Sequence, residues 1–282
     1  MTGAETTVAP LTVSFMSANF VAAELGYGAD DDWGPFDEAT NRAFEPLETF
    51  PDRLERMLAK VSGAGFGALD LWTAHLNWRW ATPEHVDLAR VALERNGLRL
   101  VSLAGNFGST TDELESACRL ANALGVDLLG GMGDVLRDDL PGAEAVLRAY
   151  GVRLGYENHP EATPGEVLSL IGDAGDVLGA TVDTGWWATH GYDAVDAIAE
   201  LRERLFHVHL KDVERPGDHV TCLHGTGVVD IDGCVEALVS SGYDGPLSVE
   251  HEPYDRDPTS ECVLMRDALA VQLERLMGGD DG

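Results

Sequence analysis

The sequence is poor in lysine, with only Lys60 and Lys211 among its 282 residues. Lysine and arginine together number 19 against 49 aspartates and glutamates, which gives a formal net charge of −30 at pH 7. Because nucleic-acid backbones are bound by clustered basic side chains, this balance disfavours a nucleic-acid partner. Self-repulsion of this size weakens a compact fold in dilute buffer, and concentrated salt screens it. We therefore predict a halophilic protein; an acidic protein of an ordinary cytoplasm is the alternative.

Cysteine and long apolar runs are also scarce. The cysteines Cys118, Cys222, Cys234 and Cys262 show no CxxC spacing, so neither a zinc ribbon nor a disulfide framework is indicated. No apolar run reaches the roughly 20 residues that a membrane helix needs. A secretory signal has a basic region ahead of an apolar stretch, and residues 1–10 contain no such pattern. These absences predict a reduced, cytoplasmic protein that does not contact a membrane.

The chain does contain a strand-then-helix alternation that runs nearly end to end. The predicted strands are Leu11–Ser17, Ala68–Trp72, Leu98–Leu103, Val126–Leu129, Val152–Glu157, Gly179–Asp183, Leu205–Leu210 and Leu247–Glu250. Amphipathic segments lie between them, and they begin at capping residues such as Thr82-Pro83 and end at glycine. Eight strand–helix units in 282 residues favour a (β/α)8 TIM barrel over a doubly wound sheet. We predict that residues 1–282 form one domain.

The stretch from residue 19 to residue 48 interrupts this alternation as a long loop insertion. It follows the first predicted strand, so it leaves the barrel at the end where active sites of this fold lie. It is acidic at Asp30-Asp31-Asp32 and carries the aromatic residues Tyr27, Trp33 and Phe36. A lid over the active site and a solvated insertion with an aromatic anchor both fit this composition.

Four consecutive predicted strands each carry, at or near their carboxyl end, a residue that can bind a metal ion. These residues are Glu157, Asp183, His209 and Glu250. A charge at the end of an apolar strand is costly to desolvate, and three acids together repel one another; a divalent cation removes both penalties. Helix capping or pairing with arginine explains any one of these acids, but not the recurrence on four strands. We predict one divalent metal ion, with Mn²⁺, Mg²⁺ or Co²⁺ favoured by the oxygen-rich ligands and Zn²⁺ as a further option.

Five short segments carry a resemblance to a known family. They are Tyr156–His159 (YENH), Val182–Gly185 (VDTG), His207–Asp212 (HVHLKD), Gly225–Asp230 (GTGVVD) and Gly242–Glu250 (GYDGPLSVE). Together they resemble the xylose isomerase-like barrel superfamily of sugar isomerases, epimerases and inosose dehydratases, and the resemblance covers nearly the whole chain. In the ketose 3-epimerase branch the residues matching the four predicted ligands bind the metal. The residues matching Glu157 and Glu250 also act as acid and base there.

Two positions depart from that branch. Trp186 stands where the branch has a histidine, and Thr163 stands where it has a glutamate, with Glu161 as the nearest acid. Substrate handling is therefore predicted to differ from that of a standard ketose epimerase. The superfamily also includes DNA-repair endonucleases with three zinc ions, which need that same histidine and an aspartate two residues before another histidine. Here the corresponding pair is Cys222 and His224, so most of the extra zinc ligands are missing. A nuclease is accordingly disfavoured.

Four residues are predicted to contact substrate: His75, Trp186, Lys211 and Arg215. His75 follows the second strand, where members of the superfamily have substrate contacts, and Arg215 matches the spacing of a substrate-binding arginine in the epimerase branch. Trp186 fits the wall of a sugar-sized pocket, although tryptophan at a barrel rim is often only packing. Lys211 is on the same strand face as His209, where it either stabilises an enolate or pairs with a nearby carboxylate.

The predicted chemistry is proton transfer at a carbon next to a carbonyl. A metal ion polarises the carbonyl, and Glu157 or Glu250 removes the proton to give an enediolate. Epimerisation, aldose–ketose isomerisation and dehydration use the same ligand set, so the ligands do not choose among them. The leading hypothesis is a sugar or keto-polyol isomerase or epimerase with a small-molecule substrate. An inosose dehydratase-like lyase and a non-catalytic sugar-binding barrel are the alternatives, and assembly into a homo-oligomer is left open.

Overall fold

The computed structural model describes residues 11–28 and 33–278. Its strands are β1 (Val13–Met16), β2 (Ala68–Trp72), β3 (Arg99–Asn106), β4 (Leu128–Met132), β5 (Arg153–Glu157), β6 (Leu178–Asp183), β7 (Leu205–Leu210), β8 (Asp212–Arg215), β9 (Asp218–Cys222) and β10 (Leu247–Val249). Its α-helices are α1 (Trp33–Phe44), α2 (Phe50–Gly63), α3 (Pro83–Arg95), α4 (Thr111–Leu124), α5 (Val135–Asp138), α6 (Leu140–Tyr150), α7 (Pro164–Ile171), α8 (Thr184–Thr189), α9 (Ala194–Leu201), α10 (Ile231–Ser241) and α11 (Thr259–Met277). Short 3₁₀ helices cover Ser17–Phe20, Ala23–Leu25 and Arg202–Arg204.

Within the described residues, eight strands close into a barrel in the order β1, β10, β7, β6, β5, β4, β3, β2. All neighbouring pairs are parallel, and β1 closes the ring because Phe15 pairs with both Leu69 of β2 and Val249 of β10. Parallel neighbours require a crossover connection, which the intervening helices supply. The predicted (β/α)8 barrel is confirmed, and all eight predicted strands are present.

Capping residues mark where the helices begin, and glycines mark where they end. Thr163 caps α7 through a capping box in which its hydroxyl accepts from the Glu166 backbone N–H, and proline follows at the first helical position. The cap of α3 at Thr82 has the same form, with His85 as the reciprocal partner. At the other end of a helix, α4 stops at Gly125, whose φ of 77° favours glycine.

The barrel interior is polar, whereas the apolar core lies between the strands and the helices. Ser14, Asp70, Ser102, His207 and Ser248 are all fully buried in the described structure. Nε2 of His207 lies 2.8 Å from Oδ2 of Asp70, and Ser102 donates to the other oxygen of the same carboxylate. Burial would raise the pKa of Asp70, but the neighbouring His207 lowers it below its ordinary value. The interior therefore holds a charged carboxylate that is fully partnered.

Two segments at the carboxyl ends of the strands add to the simple alternation. The described part of residues 19–48 contains helix α1, and its buried Phe36 packs on Tyr254 at a ring-centroid distance of 4.9 Å. The antiparallel hairpin of β8 and β9 follows β7 and turns at Gly217, which has a φ of 79°. Residues 1–10 and Asp30-Asp31-Asp32, on which sequence predictions were made, lie outside the described residues. None of the helices in the described ranges is both long and apolar enough to cross a membrane.

Candidate active site

The four predicted metal ligands meet at one end of the barrel. Glu157 and Asp183 are the last residues of β5 and β6, His209 is in β7, and Glu250 directly follows β10. These strands are consecutive neighbours in the barrel, so their carboxyl ends lie side by side. Each of the four residues is at most 5% exposed.

Three of these side chains converge on a single point. Nδ1 of His209 lies 2.5 Å from Oε1 of Glu157 and 3.2 Å from Oε2 of Glu250. One atom from each of the three residues lies within 4.8 Å of the other two. An imidazole nitrogen and carboxylate oxygens gathered this closely are a donor set that suits a divalent cation.

Asp183 has two functions in this arrangement, one for each oxygen. Oδ1 accepts the backbone N–H groups of Gly185 at 2.8 Å and Trp186 at 3.0 Å, so it caps helix α8. Oδ2 lies 3.0 Å from Nζ of Lys211. Helix capping, the alternative explanation for a single strand-end acid, is therefore correct for Oδ1. Oδ2 remains directed at the other acids of the site through Lys211. Asp183 stands beside the cluster of three rather than within it.

Lys211 is the cation at the centre of the carboxylates, and its side chain is 2% exposed. Its Nζ lies 3.3 Å from Oε1 of Glu250 and 3.0 Å from Oε2 of Glu252. Burial would lower the pKa of Lys211, but the carboxylates around it, Asp183 first, raise that pKa well above its ordinary value. No pattern in the sequence had indicated Glu252, which lies beyond the end of β10.

The protonation states follow from this crowding. Burial would raise the pKa of Glu157 and of Glu250, but His209 lowers the first, and Lys211 with His209 lowers the second to about 2. Burial would lower the pKa of His209, yet Glu157 and Glu250 hold it well above its ordinary value. Both glutamates are thus ionised, and a divalent cation would replace the proton on Nδ1 of His209. Oδ2 of Asp183 and Oε2 of Glu250 are buried and accept no well-aligned hydrogen bond in the described structure; each contacts only a positively charged group, Lys211 or His209, which also fits a site for a cation.

A cavity of about 1490 Å³ opens above these residues, and Glu157, Lys211 and Glu250 line it. Trp186 forms part of its wall, and its ring stacks on the His219 imidazole with centroids 3.8 Å apart and planes at 15°. His219 comes from β9, so the hairpin that follows β7 completes this wall. No pattern in the sequence had indicated His219.

His75 and Arg215 are not among the described residues that line the cavity. His75 is 2% exposed, its Nδ1 lies 3.1 Å from Oγ of Ser17, and its ring packs edge-on against Phe44. Arg215 pairs with Asp218 at 2.6 Å on the hairpin, with 70% of its side chain exposed. The structure thus brings Trp186 and Lys211 to the cavity, but it does not bring the other two predicted substrate contacts there.

Glu161, the acid nearest to the missing glutamate of the epimerase branch, has a different set of neighbours. It is 6% exposed, it forms an ion pair with Arg137, and Oε1 accepts from the Tyr156 hydroxyl at 3.2 Å. Burial, followed by the charge of Glu161, raises the pKa of Tyr156 to about 12. This cluster supports the loop after β5 and lies outside the group of acids around His209.

Comparison with known proteins agrees with the barrel fold. The family model described as xylose isomerase-like TIM barrel matches residues 58–268. The chain belongs to this family. Among curated relatives, a rhizopine catabolism protein MocC of Rhizobium meliloti is 32% identical over 142 residues, which is 43% of this chain and 44% of that protein. An L-ribulose-5-phosphate 3-epimerase UlaE of Shigella boydii is 36% identical over 84 residues, 28% of this chain and 29% of that protein.

A solved structure of L-ribulose 3-epimerase superposes on this xylose isomerase-like chain with a TM-score of 0.68. The match covers 95% of this chain and 96% of that chain at 17% sequence identity, so it supports the fold alone. The curated relatives named above are each matched over less than half of their length.

Proposed function

We propose that this member of the xylose isomerase-like family is a metal-dependent epimerase or isomerase of a sugar or sugar-like keto-polyol. What supports the proposal is the contact of two buried, ionised glutamates, Glu157 and Glu250, with the same nitrogen of His209. A pair of carboxylates at one cation is suited to removing and returning a proton beside a carbonyl. The epimerase function named for one matched relative points to the same reaction class.

Glu157, His209, Glu250 and Oδ2 of Asp183 are the residues that would hold the cation. When bound, the cation supplies Lewis-acid polarisation of the substrate carbonyl, which is worth several kcal/mol. Lys211 already lies 3.3 Å from Glu250, so its ammonium is positioned to donate a hydrogen bond to a developing oxygen anion. Trp186 and His219 together exclude water from one wall of the reaction space.

The two glutamates divide the proton transfer between them. One ionised carboxylate takes the proton from the carbon next to the carbonyl and leaves an enediolate. The second glutamate takes up a proton from solvent and returns it to the other face of the same carbon, which inverts that carbon and is epimerisation, and the first glutamate then releases its proton to solvent. Return of a proton to the neighbouring carbon exchanges aldose and ketose. Lys211 and His209 lower the pKa of Glu250 in the metal-free protein, which suits this residue to act as the base.

Deuterium exchange tests the proposal. The Mn²⁺-loaded protein is incubated in D₂O with a panel of free ketoses and inososes, and the products are analysed by NMR and mass spectrometry. Deuterium in an epimer or in an aldose–ketose product is the expected result. Loss of water to give an enone would instead assign a lyase. Inososes are included in the panel for this reason, because Trp186 replaces the histidine of the epimerase branch. Ketose binding without exchange at any position would refute an enzymatic function.

A further inference from the structure

The cavity extends well beyond the space that one sugar ring needs. Its volume of about 1490 Å³ exceeds the range of roughly 300–1,000 Å³ that is typical for drug-sized ligands. We infer that its outer part is a second subsite, which binds an uncharged ring attached to the reacting sugar. The inference rests on the proposed function and narrows its substrate class to keto-sugars that carry a second ring.

The outer part of the cavity is lined by loops on the far side of the barrel. Trp33 begins helix α1, which lies between β1 and β2, and Trp80 lies between β2 and α3. In the closed ring, β1 and β2 lie opposite β5 and β6, which carry Glu157 and Asp183. One ligand that reaches both sets of residues must therefore span the mouth of the barrel.

The surface of this outer part is aromatic. Trp33, Trp72, Trp80 and Tyr254 all line it. Trp33 is 39% exposed, which is high for so large an apolar side chain, and its ring lies 5.4 Å from that of Trp72 at an angle of 60°. Aromatic faces of this kind bury the apolar face of a ring while its edge remains hydrogen-bonded. Several aromatic side chains gathered on one wall of a cavity form an apolar surface, and such a surface marks a ligand-binding groove.

An uncharged amide group holds one of these rings, that of Trp80, in place. Oδ1 of Asn41 accepts a hydrogen bond from Nδ2 of Asn77 at 3.0 Å and another from Nε1 of Trp80 at 3.0 Å. The side chain of Trp80 is thereby fixed before a ligand arrives, which lowers the entropic cost of binding. Both asparagines line the cavity, and amide groups are suited to the hydroxyl groups of a sugar or a polyol ring.

The charges around the cavity disfavour a phosphate ester as the extra group. Nine of the lining residues are aspartate or glutamate, against four basic ones. The basic residues are Arg42, Arg79, Lys211 and Arg256. Lys211 is held by carboxylates, Arg256 pairs with Glu261 at 3.0 Å, and the Arg79 guanidinium covers the ring of Trp78 at 4.1 Å. A phosphate group that binds Lys211, Arg79 or Arg256 would have to displace these partners, and throughout the cavity, at Arg42 as well, it would face the excess of carboxylates.

Calorimetric titration of the Mn²⁺-loaded protein tests the subsite with three ketoses that differ only at oxygen 6. The probes are fructose, isomaltulose (fructose with a glucosyl ring on that oxygen) and fructose 6-phosphate. We expect isomaltulose to bind about tenfold more tightly than fructose, as one stacked ring contact of roughly that strength requires. Fructose 6-phosphate is expected to bind no more tightly than fructose. Equal affinities for fructose and isomaltulose, or tightest binding of the phosphate ester, would overturn the inference.

A variant with a matched control links the effect to the aromatic surface. Trp33→Ala should reduce the affinity ratio of isomaltulose to fructose towards one. Val271→Ala removes another exposed apolar side chain, 68% exposed on α11 and outside the cavity lining, and should leave that ratio unchanged. An unchanged ratio in Trp33→Ala contradicts the placement of the second ring.

Deuterium exchange measured on the same samples separates this inference from the proposed function. A tenfold affinity ratio together with no exchange into any ketose or inosose of the panel refutes the epimerase or isomerase function and leaves the second subsite in place. Exchange with equal affinities refutes the subsite alone.

Discussion

Nζ of Lys211 lies 3.0 Å from Oδ2 of Asp183, and both side chains are almost completely buried. The lysine therefore supplies positive charge in the interior of an acidic protein. Its removal leaves the carboxylates of Asp183, Glu250 and Glu252 close together without that charge, and breaking a buried ion pair from one side costs about 3–5 kcal/mol.

The first prediction follows from this pair. Lys211→Met should lower the free energy of unfolding of the metal-free protein by about 3–5 kcal/mol, and added Mn²⁺ should recover part of the loss. Lys60→Met is the matched control, because Lys60 is the other lysine and pairs with Asp257 at the surface. Exposed pairs contribute only about 0–1 kcal/mol. Urea unfolding measures both variants, and equal losses would show that Lys211 has no special role.

The second prediction concerns the double function of Asp183. Asparagine caps a helix about as well as aspartate, so Asp183→Asn should keep α8 but lose a charged metal ligand. In the wild type, Mn²⁺ at about a hundredfold excess over its Kd should add roughly 2.7 kcal/mol of stability, and the variant should lose most of that gain. Asp193→Asn is the control, because Asp193 caps α9 in the same way through the backbone N–H of Val195 at 2.8 Å. A full metal-dependent gain in Asp183→Asn would remove Asp183 from the ligand set.

The barrel could be predicted from the sequence because its strands have a strong local signal. The β-branched and apolar runs are bounded by glycine and capping residues, and Ala68–Trp72 and Leu205–Leu210 have the predicted bounds. The hairpin of β8 and β9 carries no such signal, since Asp212–Arg215 and Asp218–Cys222 are short and mostly polar. Its turn at Pro216-Gly217 was the available indication.

The floor of the candidate site could be predicted because strand ends in a parallel barrel meet at one rim. Substrate contacts depend instead on how loops fold back over that rim. The resemblance to the epimerase branch assigned Arg215 to the substrate through its distance in sequence from His209, whereas 70% of the Arg215 side chain is exposed on the hairpin. His75 lies near the rim in sequence but is enclosed by Phe44 and Trp72.

The third prediction uses His75 as a reporter of acid stability. Burial lowers the pKa of His75 to about 3, below the unfolded value of about 6.5. The neutral ring therefore contributes stability that is fully present above about pH 6.5 and is lost as the pH falls, by up to about 1.4 kcal/mol per unit. Between roughly pH 7 and 5.5 the wild type should lose about 1 kcal/mol more than His75→Gln.

Chemical denaturation at the two pH values measures this difference. His190→Gln, the same substitution at an exposed histidine, is the control for the loss of an imidazole. Parallel losses in His75→Gln and the wild type would mean that His75 binds a proton as readily in the folded protein as in the unfolded chain.

The fourth prediction follows from the net charge of −30. Raising the salt concentration from about 0.1 M to about 1 M shortens the screening length from roughly 10 Å to 3 Å. Repulsion among the surface carboxylates should then weaken, and the midpoint of thermal unfolding should rise in KCl. Sucrose at matched osmolality is the control, because it adds no ions. A midpoint that falls or stays constant in KCl would contradict the predicted halophilic character.

The last prediction assigns the proton-transfer groups. Glu157→Gln and Glu250→Gln keep the shape of each side chain but remove its ability to accept a proton. At metal concentrations that saturate each variant, kcat for deuterium exchange should fall about 10²–10⁴-fold in both. Glu161→Gln is the control and should keep the wild-type kcat. Glu161 is also a buried acid, in the loop that follows Glu157, but it pairs with Arg137 and Tyr156 and not with His209.

Metal content must be measured on the same samples, since Glu157 and Glu250 both contact His209 and each change also weakens the cation site. If Glu157→Gln binds metal and exchanges at the wild-type rate, Glu157 is a ligand without a proton-transfer role. Glu250, or Glu252 beside Lys211, would then have to move the proton alone. A single base serves isomerisation better than inversion of one carbon, so that result would also favour the isomerase over the epimerase.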